Sequence, residues 1–331
     1  MRKTLSLCIV GLGRAGRFHL HSIKQLQGVD LAYVVDPDIS EQDETLKVTG
    51  CKVLADIQEA LDDSELDGVI VSSPTQFHYD YIIRSLSAGK HVFTEKPLGK
   101  SLEQIAHCFD LAEEKGLALY LGFQRRYDQN FRALKEKLQQ IGAIRLIKTS
   151  SRDNPKPSID YLRISGNIFH DMLIHDFDML LFLLEGKKPE SVFAYGHAYD
   201  KEIKAIPDFD TVMVSLKYSD GLIVNIDTSR IAAYGYDQRI ELFGEHGMAI
   251  AENQRNSSVQ LHTASGTLLE PINYSFPQRY KESYLMEMSD FVQGILEGKR
   301  HNVSKGECLL GHRMADAAHE SAISGKVIPL K

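Results

Sequence analysis

The chain has 331 residues, with 38 Lys and Arg against 45 Asp and Glu for a net charge of −7, and 43% hydrophobic residues, which suits two domains with cores of their own. No block of clustered Lys and Arg offers a footprint for a phosphate backbone or an anionic membrane, and no apolar run approaches a membrane span, so neither nucleic acid nor membrane is expected as a partner. The four cysteines, Cys8, Cys51, Cys108 and Cys308, form no CxxC pair and read as reduced thiols of a cytoplasmic protein. Met1-Arg2-Lys3 before Leu5 to Val10 imitates an export signal, but Gly11, Gly13 and Arg14 interrupt it.

Up to residue 122, short apolar runs alternate with longer amphipathic stretches, the pattern of a doubly wound parallel sheet. Strands are predicted at Leu5 to Val10, Leu31 to Val35, Gly68 to Ser72, His91 to Thr94 and Leu117 to Leu121, with helices near Arg14 to Gln27, Gln76 to Ala88 and Ser101 to Lys115. Gly89 and Gly116 act as helix stops. Beyond Gly122 the pattern predicts a helix near Asn130 to Gln140, a polar loop at Arg152 to Ser158 and one long helix from Ile168 to Leu184. Strands then crowd together between Ser191 and Glu270, where Val212, Val214 and Leu216 alternate with Met213, Ser215 and Lys217. Helices at Tyr280 to Glu297 and Ser304 to Ser324 close the chain, the second opened by the capping-box pair Ser304 and Glu307. The expected class is α/β: a Rossmann doubly wound parallel sheet over residues 1–122, and over 123–331 an α+β domain with a large, mostly antiparallel, open-faced sheet. The helix at about 304–324 is expected to be able to pack back on the first domain.

Gly11-Leu12-Gly13-Arg14-Ala15-Gly16 stands between the first strand and the first helix, where a dinucleotide fingerprint requires its tight turn, close backbone approach and helix N-terminus. Asp36 ends the second strand 20 positions after Gly16, in place to accept from the adenine-ribose hydroxyls and to repel a 2′-phosphate, which favours NAD over NADP. Glycine turns are common and Asp36 could merely open a turn with Pro37, so the weight lies in strand, glycines, helix and acid standing in register.

Glu95-Lys96-Pro97 follows the strand at His91, delivering an ammonium to the carboxyl edge of the sheet, although a strand-end lysine is ordinarily just solvated. Within Gly166 to Asp178, Asp171 and His175 stand four apart and share a helical face, as an orienting carboxylate and an imidazole would, or as any surface pair does. Asp178 could add a third metal ligand, but no cysteine or further histidine sits at suitable spacing, and no metal is expected there.

With Lys96-Pro97, Asp171 and His175 in these places, the sequence resembles the Gfo/Idh/MocA oxidoreductases from end to end. Gly122 to Asp128, Ser151-Arg152-Asp153 and Tyr234 to Arg239 are similar to the members that act on inositol. The resemblance implies a catalytic triad of Lys96, Asp171 and His175. His175 would take the proton of a ring hydroxyl, Lys96 would stabilise the developing alkoxide, and the hydride would pass to the nicotinamide of NAD. A cis peptide before Pro97 would aim the lysine. It further implies cofactor contacts from Gly11, Leu12, Gly13, Arg14, Ala15, Gly16, Asp36, Ser73, Thr75, His78, Glu95 and Lys96. Polyol contacts would come from Arg126, Asp153, Asn154 and Tyr236, with Tyr234 competing for the last role. Asn154 and Lys156 depart from a loop richer in Pro and Ala in many such enzymes. A homo-oligomer, dimer or tetramer, would form through the open sheet face, where Met213 and Ile223 stand. Alternatives are a sugar, scyllo-inositol or dihydrodiol dehydrogenase of the same fold, or a nicotinamide-binding sensor without turnover.

Overall fold

The computed structural model describes residues 4–39, 43, 46 and 49–330, and the chain divides into two compact units, Met1–Tyr127 with Lys281–Leu309, and Asp128–Tyr280 with Leu310–Lys331. Among the described residues the first unit holds six strands: β1 (Leu5–Val10), β2 (Val29–Val35), β3 (Lys52–Leu54), β4 (Gly68–Val71), β5 (His91–Glu95) and β6 (Leu119–Gly122). They lie in the order β3-β2-β1-β4-β5-β6 and every pairing is parallel. β4 is buried at all four positions, because helices cover both faces of such a sheet and its central strands are apolar throughout. β3 escaped the sequence reading; three residues carry too little periodicity. The order reverses between β1 and β4, so their carboxyl ends open the crevice in which α/β sheets bind ligands.

The helix Leu102–Lys115 starts where the Ser101 side chain accepts from the Gln104 N–H, and it stops at Gly116 with φ +69°, as its sequence signals require. The exposed edge of β6 is closed by Asn302, whose amide accepts from the Leu121 N–H at 2.9 Å and donates to the Leu121 carbonyl at 2.8 Å.

The division at residue 122 is too simple. Met288, Phe291 and Val292 of the helix Lys281–Glu297 sit in one core with Leu7, Ile70, Phe93 and Tyr120. A Cβ on Gly294 would lie 2.1 Å from the Tyr120 hydroxyl, so only glycine admits this packing. Of the final helix, Lys305–Ser324, only the residues up to Leu309 belong to this unit. The helix that returns to the parallel sheet is therefore mainly the penultimate one. Its amphipathic pattern announces a buried face but cannot name the sheet that face meets.

The second unit is built on β7 (Ile144–Arg152), β8 (Ser191–His197), β9 (Thr211–Lys217), β10 (Ile223–Ser229), β11 (Asp237–Gly244) and β12 (Met248–Ala251), with a separate hairpin of β13 (Gln260–Thr263) and β14 (Gly266–Leu269), and with β15 (Ile328–Pro329) at the edge. The sheet order is β12-β11-β7-β10-β9-β8-β15, and only β7 and β10 run parallel. Val212, Val214, Leu216, Val224 and Ile226 are buried on one face, whereas the other exposes Tyr195, Met213, Ile223, Phe243, Met248 and Ile250. On that second face Met213 pairs with Tyr195 and Phe243 with Met248 across neighbouring strands. The predicted long helix is two, Ile168–Asp171 and Leu173–Leu183, parted at Met172, where ψ is −56° at φ −99° and the His175 N–H bonds the Met172 carbonyl.

Candidate active site

In the first unit, β1 leads through Gly11-Leu12-Gly13 into the helix Arg14–Ile23, whose N-cap Gly13 supplies no side-chain cap. Its first N–H groups and positive dipole end are thus offered by backbone alone, as an anion site needs. Gly11 has φ +88°, and a Cβ there would lie 2.6 Å from the Ser73 backbone; on Gly16 it would lie 2.0 Å from the Gly11 carbonyl oxygen. At Gly13 nothing lies within 4 Å. Two glycines are demanded by close packing, and the third borders open space at the helix N-terminus, where a pyrophosphate fits. Leu12 is buried and Arg14 exposed at this turn.

Asp36 accepts from the Leu12 N–H at 2.7 Å through Oδ2 and from the Asp38 N–H at 3.0 Å through Oδ1. The carboxylate braces the glycine loop and keeps lone pairs for ribose hydroxyls, so the donor set fits NAD. Asp36→Ala should weaken NAD binding and raise the ratio of kcat/KM with NADP to that with NAD, measured by steady-state kinetics with each cofactor. An unchanged ratio would remove Asp36 from cofactor selection.

Three other residues expected at ligands have protein partners. His78, nearly fully buried, sets Nε2 2.7 Å from the Ser73 carbonyl and Nδ1 2.8 Å from the Pro97 carbonyl. Burial pushes its pKa below the ordinary imidazole range despite these two acceptors. It ties the loop after β4 to the Lys96-Pro97 turn after β5, a bracing role in place of a cofactor contact. Glu95 lies 2.8 Å from Nε2 of the fully buried His19. Burial would raise its pKa, but His19 and the Lys96 charge bring it below the usual carboxylate value. Arg126, expected at the polyol, donates to Glu307 at 3.0 Å, while Glu307 also accepts from Ser304 in the capping box. Burial acts to raise the Glu307 pKa, and Ser304 with Arg126 lowers it. Ser73 and Thr75 follow β4, Thr75 opening a short turn to Phe77. Lys96 stands half-buried past the end of β5, and its peptide bond to Pro97 is cis.

In the second unit, Asp171 closes the helix Ile168–Asp171, capped by Asn167. Its two oxygens are held separately, Oδ1 by the Tyr161 hydroxyl at 2.7 Å and Oδ2 by the Arg230 guanidinium at 2.9 Å. Arg230 is fully buried and reaches Asp208 at 2.9 Å with its other amino group, and Asp208 in turn accepts from the Ile168 N–H at 2.8 Å. A guanidinium forked between two buried carboxylates pairs with both and fixes Asp171 at the head of the helix that carries His175. Neither Tyr161, Asp208 nor Arg230 was predicted. Arg230 follows β10 as a solitary basic residue, and no local spacing links it to Asp171, 59 positions away.

Asp153 follows β7, its N–H donating to the Ser229 carbonyl and its carbonyl accepting from the Ala232 N–H. Asn154 donates to the Tyr274 carbonyl at 2.9 Å, a contact between two loops. The Tyr234 hydroxyl donates to Asp237 and accepts from Arg152. Tyr236 is buried, its ring edge-on to Tyr280 at 5.9 Å.

Residues 5–123 match the oxidoreductase family with an NAD-binding Rossmann fold, and residues 131–250 match the GFO/IDH/MocA C-terminal domain. The chain is 37% identical over 322 residues to the myo-inositol 2-dehydrogenase of Thermotoga maritima, covering 94% of this chain and 96% of that one. It is 36% identical to the inositol 2-dehydrogenase of Rhizobium meliloti over 99% of each. A solved structure of the scyllo-inositol dehydrogenase from Lactobacillus casei with bound NAD(H) and scyllo-inositol superposes with a TM-score of 0.90 at 30% identity, over 99% of both chains. Among the described residues no helix is long and apolar enough to cross a membrane. With its fingerprint loop, brace and both domains matched, the chain belongs to the Gfo/Idh/MocA family and is an NAD-dependent oxidoreductase acting on CH–OH groups.

Proposed function

We propose that this enzyme oxidises a ring hydroxyl of myo-inositol, or of a closely related cyclitol, to the ketone. The observation that carries this reading is the doubly held Asp171, a carboxylate fixed by Tyr161 and Arg230 just ahead of the helix Leu173–Leu183 that carries His175. Bound NAD would supply the hydride acceptor. His175 takes the hydroxyl proton on an imidazole nitrogen, and the Lys96 ammonium hydrogen-bonds the carbinol oxygen. Alkoxide character grows only in the transition state, so a preorganised cation there lowers the barrier without tightening substrate binding. Arg126, Asp153, Asn154 and Tyr236 are the candidates for the other ring hydroxyls. Tyr236 is preferred to Tyr234 because the Tyr234 hydroxyl is already shared between Asp237 and Arg152. The exposed row of Tyr195, Met213, Ile223 and Phe243 supports a homo-oligomer formed through the open sheet face.

The test is NADH formation with a panel of inositol isomers and aldopyranoses. The highest kcat/KM is expected with myo-inositol. A scyllo-inositol or sugar preference would move the assignment within the family, and no NADH from any of them by a protein that binds NAD would reject it.

A further inference from the structure

Within the second unit, His312 and Asp316 stand four apart on the helix Lys305–Ser324 and so share a face, and His170 of the helix Ile168–Asp171 meets them. His170 Nε2 lies 2.9 Å from one Asp316 oxygen and His312 Nε2 lies 4.0 Å from the other. The two imidazole rings meet edge-on, with centroids 5.0 Å apart and planes inclined by 61°. One ligand atom from each residue falls within 4.8 Å of the other two, a grouping of the kind that holds a metal ion.

The protonation pattern around His170 adds an independent constraint. Asn167 Oδ1 accepts from the backbone N–H groups of Phe169 and His170, at 3.0 and 3.2 Å, so that atom is the amide oxygen and has no proton to give. His170 Nδ1, 2.9 Å from the same oxygen, must therefore be the donor. A neutral His170 then turns the lone pair of Nε2 onto a carboxylate oxygen at 2.9 Å, an arrangement that requires a positive charge between them. Either a second proton or a metal ion meets that requirement. An amide oxygen receiving Nδ1–H is also the outer partner that orients a ligating imidazole.

We propose that His170, His312 and Asp316 bind one divalent transition-metal ion of the zinc type, linking two helices of the second unit. Zinc–nitrogen and zinc–oxygen distances of about 2.0–2.2 Å place tetrahedral ligand atoms roughly 3.4 Å apart, between the separations found here, so small side-chain rotations complete the set. Two imidazoles and a carboxylate favour zinc, cobalt or nickel over magnesium or calcium, which prefer oxygen ligands. His312 is buried, whereas the Asp316 side chain is half exposed, which gives the ion a path from solvent and leaves a coordination position for water.

The experiment uses the full, untagged chain, treated with a chelator and dialysed, and titrated with zinc by calorimetry and with cobalt by visible absorption. One ion per chain is expected, with a higher Tm and the visible bands of cobalt in a low-coordinate nitrogen–oxygen site. His312→Gln and Asp316→Asn should each weaken binding by about 10- to 100-fold or more, while His262→Ala, on the exposed β13–β14 hairpin, should leave it unchanged. If His312→Gln fails to fold, Asp316→Asn, at an exposed position, decides the matter, with its NAD reduction showing that it is folded. Absence of zinc and cobalt binding by the stripped protein, or binding that survives Asp316→Asn at full affinity, would overturn the site.

Discussion

Replacing Lys96 or His175 with alanine should lower kcat by about 10²–10⁴-fold, the range for losing a general base or a preorganised charge on a developing oxyanion. The Kd for NAD should stay nearly constant. The glycine loop and the Asp36 brace that fit the cofactor involve neither side chain. The split between a large loss in kcat and a small change in cofactor affinity is the diagnostic, because it marks an interaction made only as the alkoxide forms. Single-turnover kinetics with saturating NAD, alongside equilibrium titration of NAD, would measure both. Wild-type turnover in either variant would show that the proton and the charge are handled elsewhere. Lys96→Arg is expected to recover little, since the broad guanidinium cannot take the place of a compact ammonium.

The largest stability effect is expected at Arg230. Its guanidinium is fully buried and forks to Asp171 and Asp208 at 2.9 Å each. Arg230→Met would fill much of the volume but remove the guanidinium that two buried aspartates share. Removing one partner of a buried pair costs about 3–5 kcal/mol, which a urea titration would read as a lower midpoint at a similar slope. Arg230→Lys should be only partly restoring, because one ammonium cannot serve both carboxylates with the geometry of a planar fork. Any folded fraction of Arg230→Met should also lose turnover, since Asp171 would lose the guanidinium that holds Oδ2. Unchanged stability would mean that water or rearranged side chains satisfy the two aspartates at no cost.

These two sites differ in how far they can be read in advance. The order of strand, three glycines, helix and acid is local, and each member has a backbone reason to stand where it does. The same holds for the Ser304 and Glu307 box, which forms as its spacing requires. Polar residues near a sheet edge are another matter. Glu95, His78 and Arg126 sit in the right neighbourhood for ligands, yet Glu95 finds His19, 76 positions away, and Arg126 finds Glu307, 181 away. A buried or half-buried charge takes whichever counter-charge the packing brings within reach, and local spacing carries no record of that choice. The prediction of one helix from Ile168 to Leu184 failed for a related reason. Its apolar periodicity runs on through Met172, while the backbone departs there from regular geometry and starts a second helix carrying His175.

The sequence alone determined the doubly wound unit with its NAD fingerprint and a second, alternating sheet, because hydrophobic period and turn chemistry are properties of neighbouring residues. Only the tertiary structure decided that Lys281–Glu297 completes the first core, that Asp171 is held by Arg230 and Tyr161, and that His170 meets His312 and Asp316. Those contacts join residues far apart in the chain, and their partners are selected by packing and charge compensation in the folded protein.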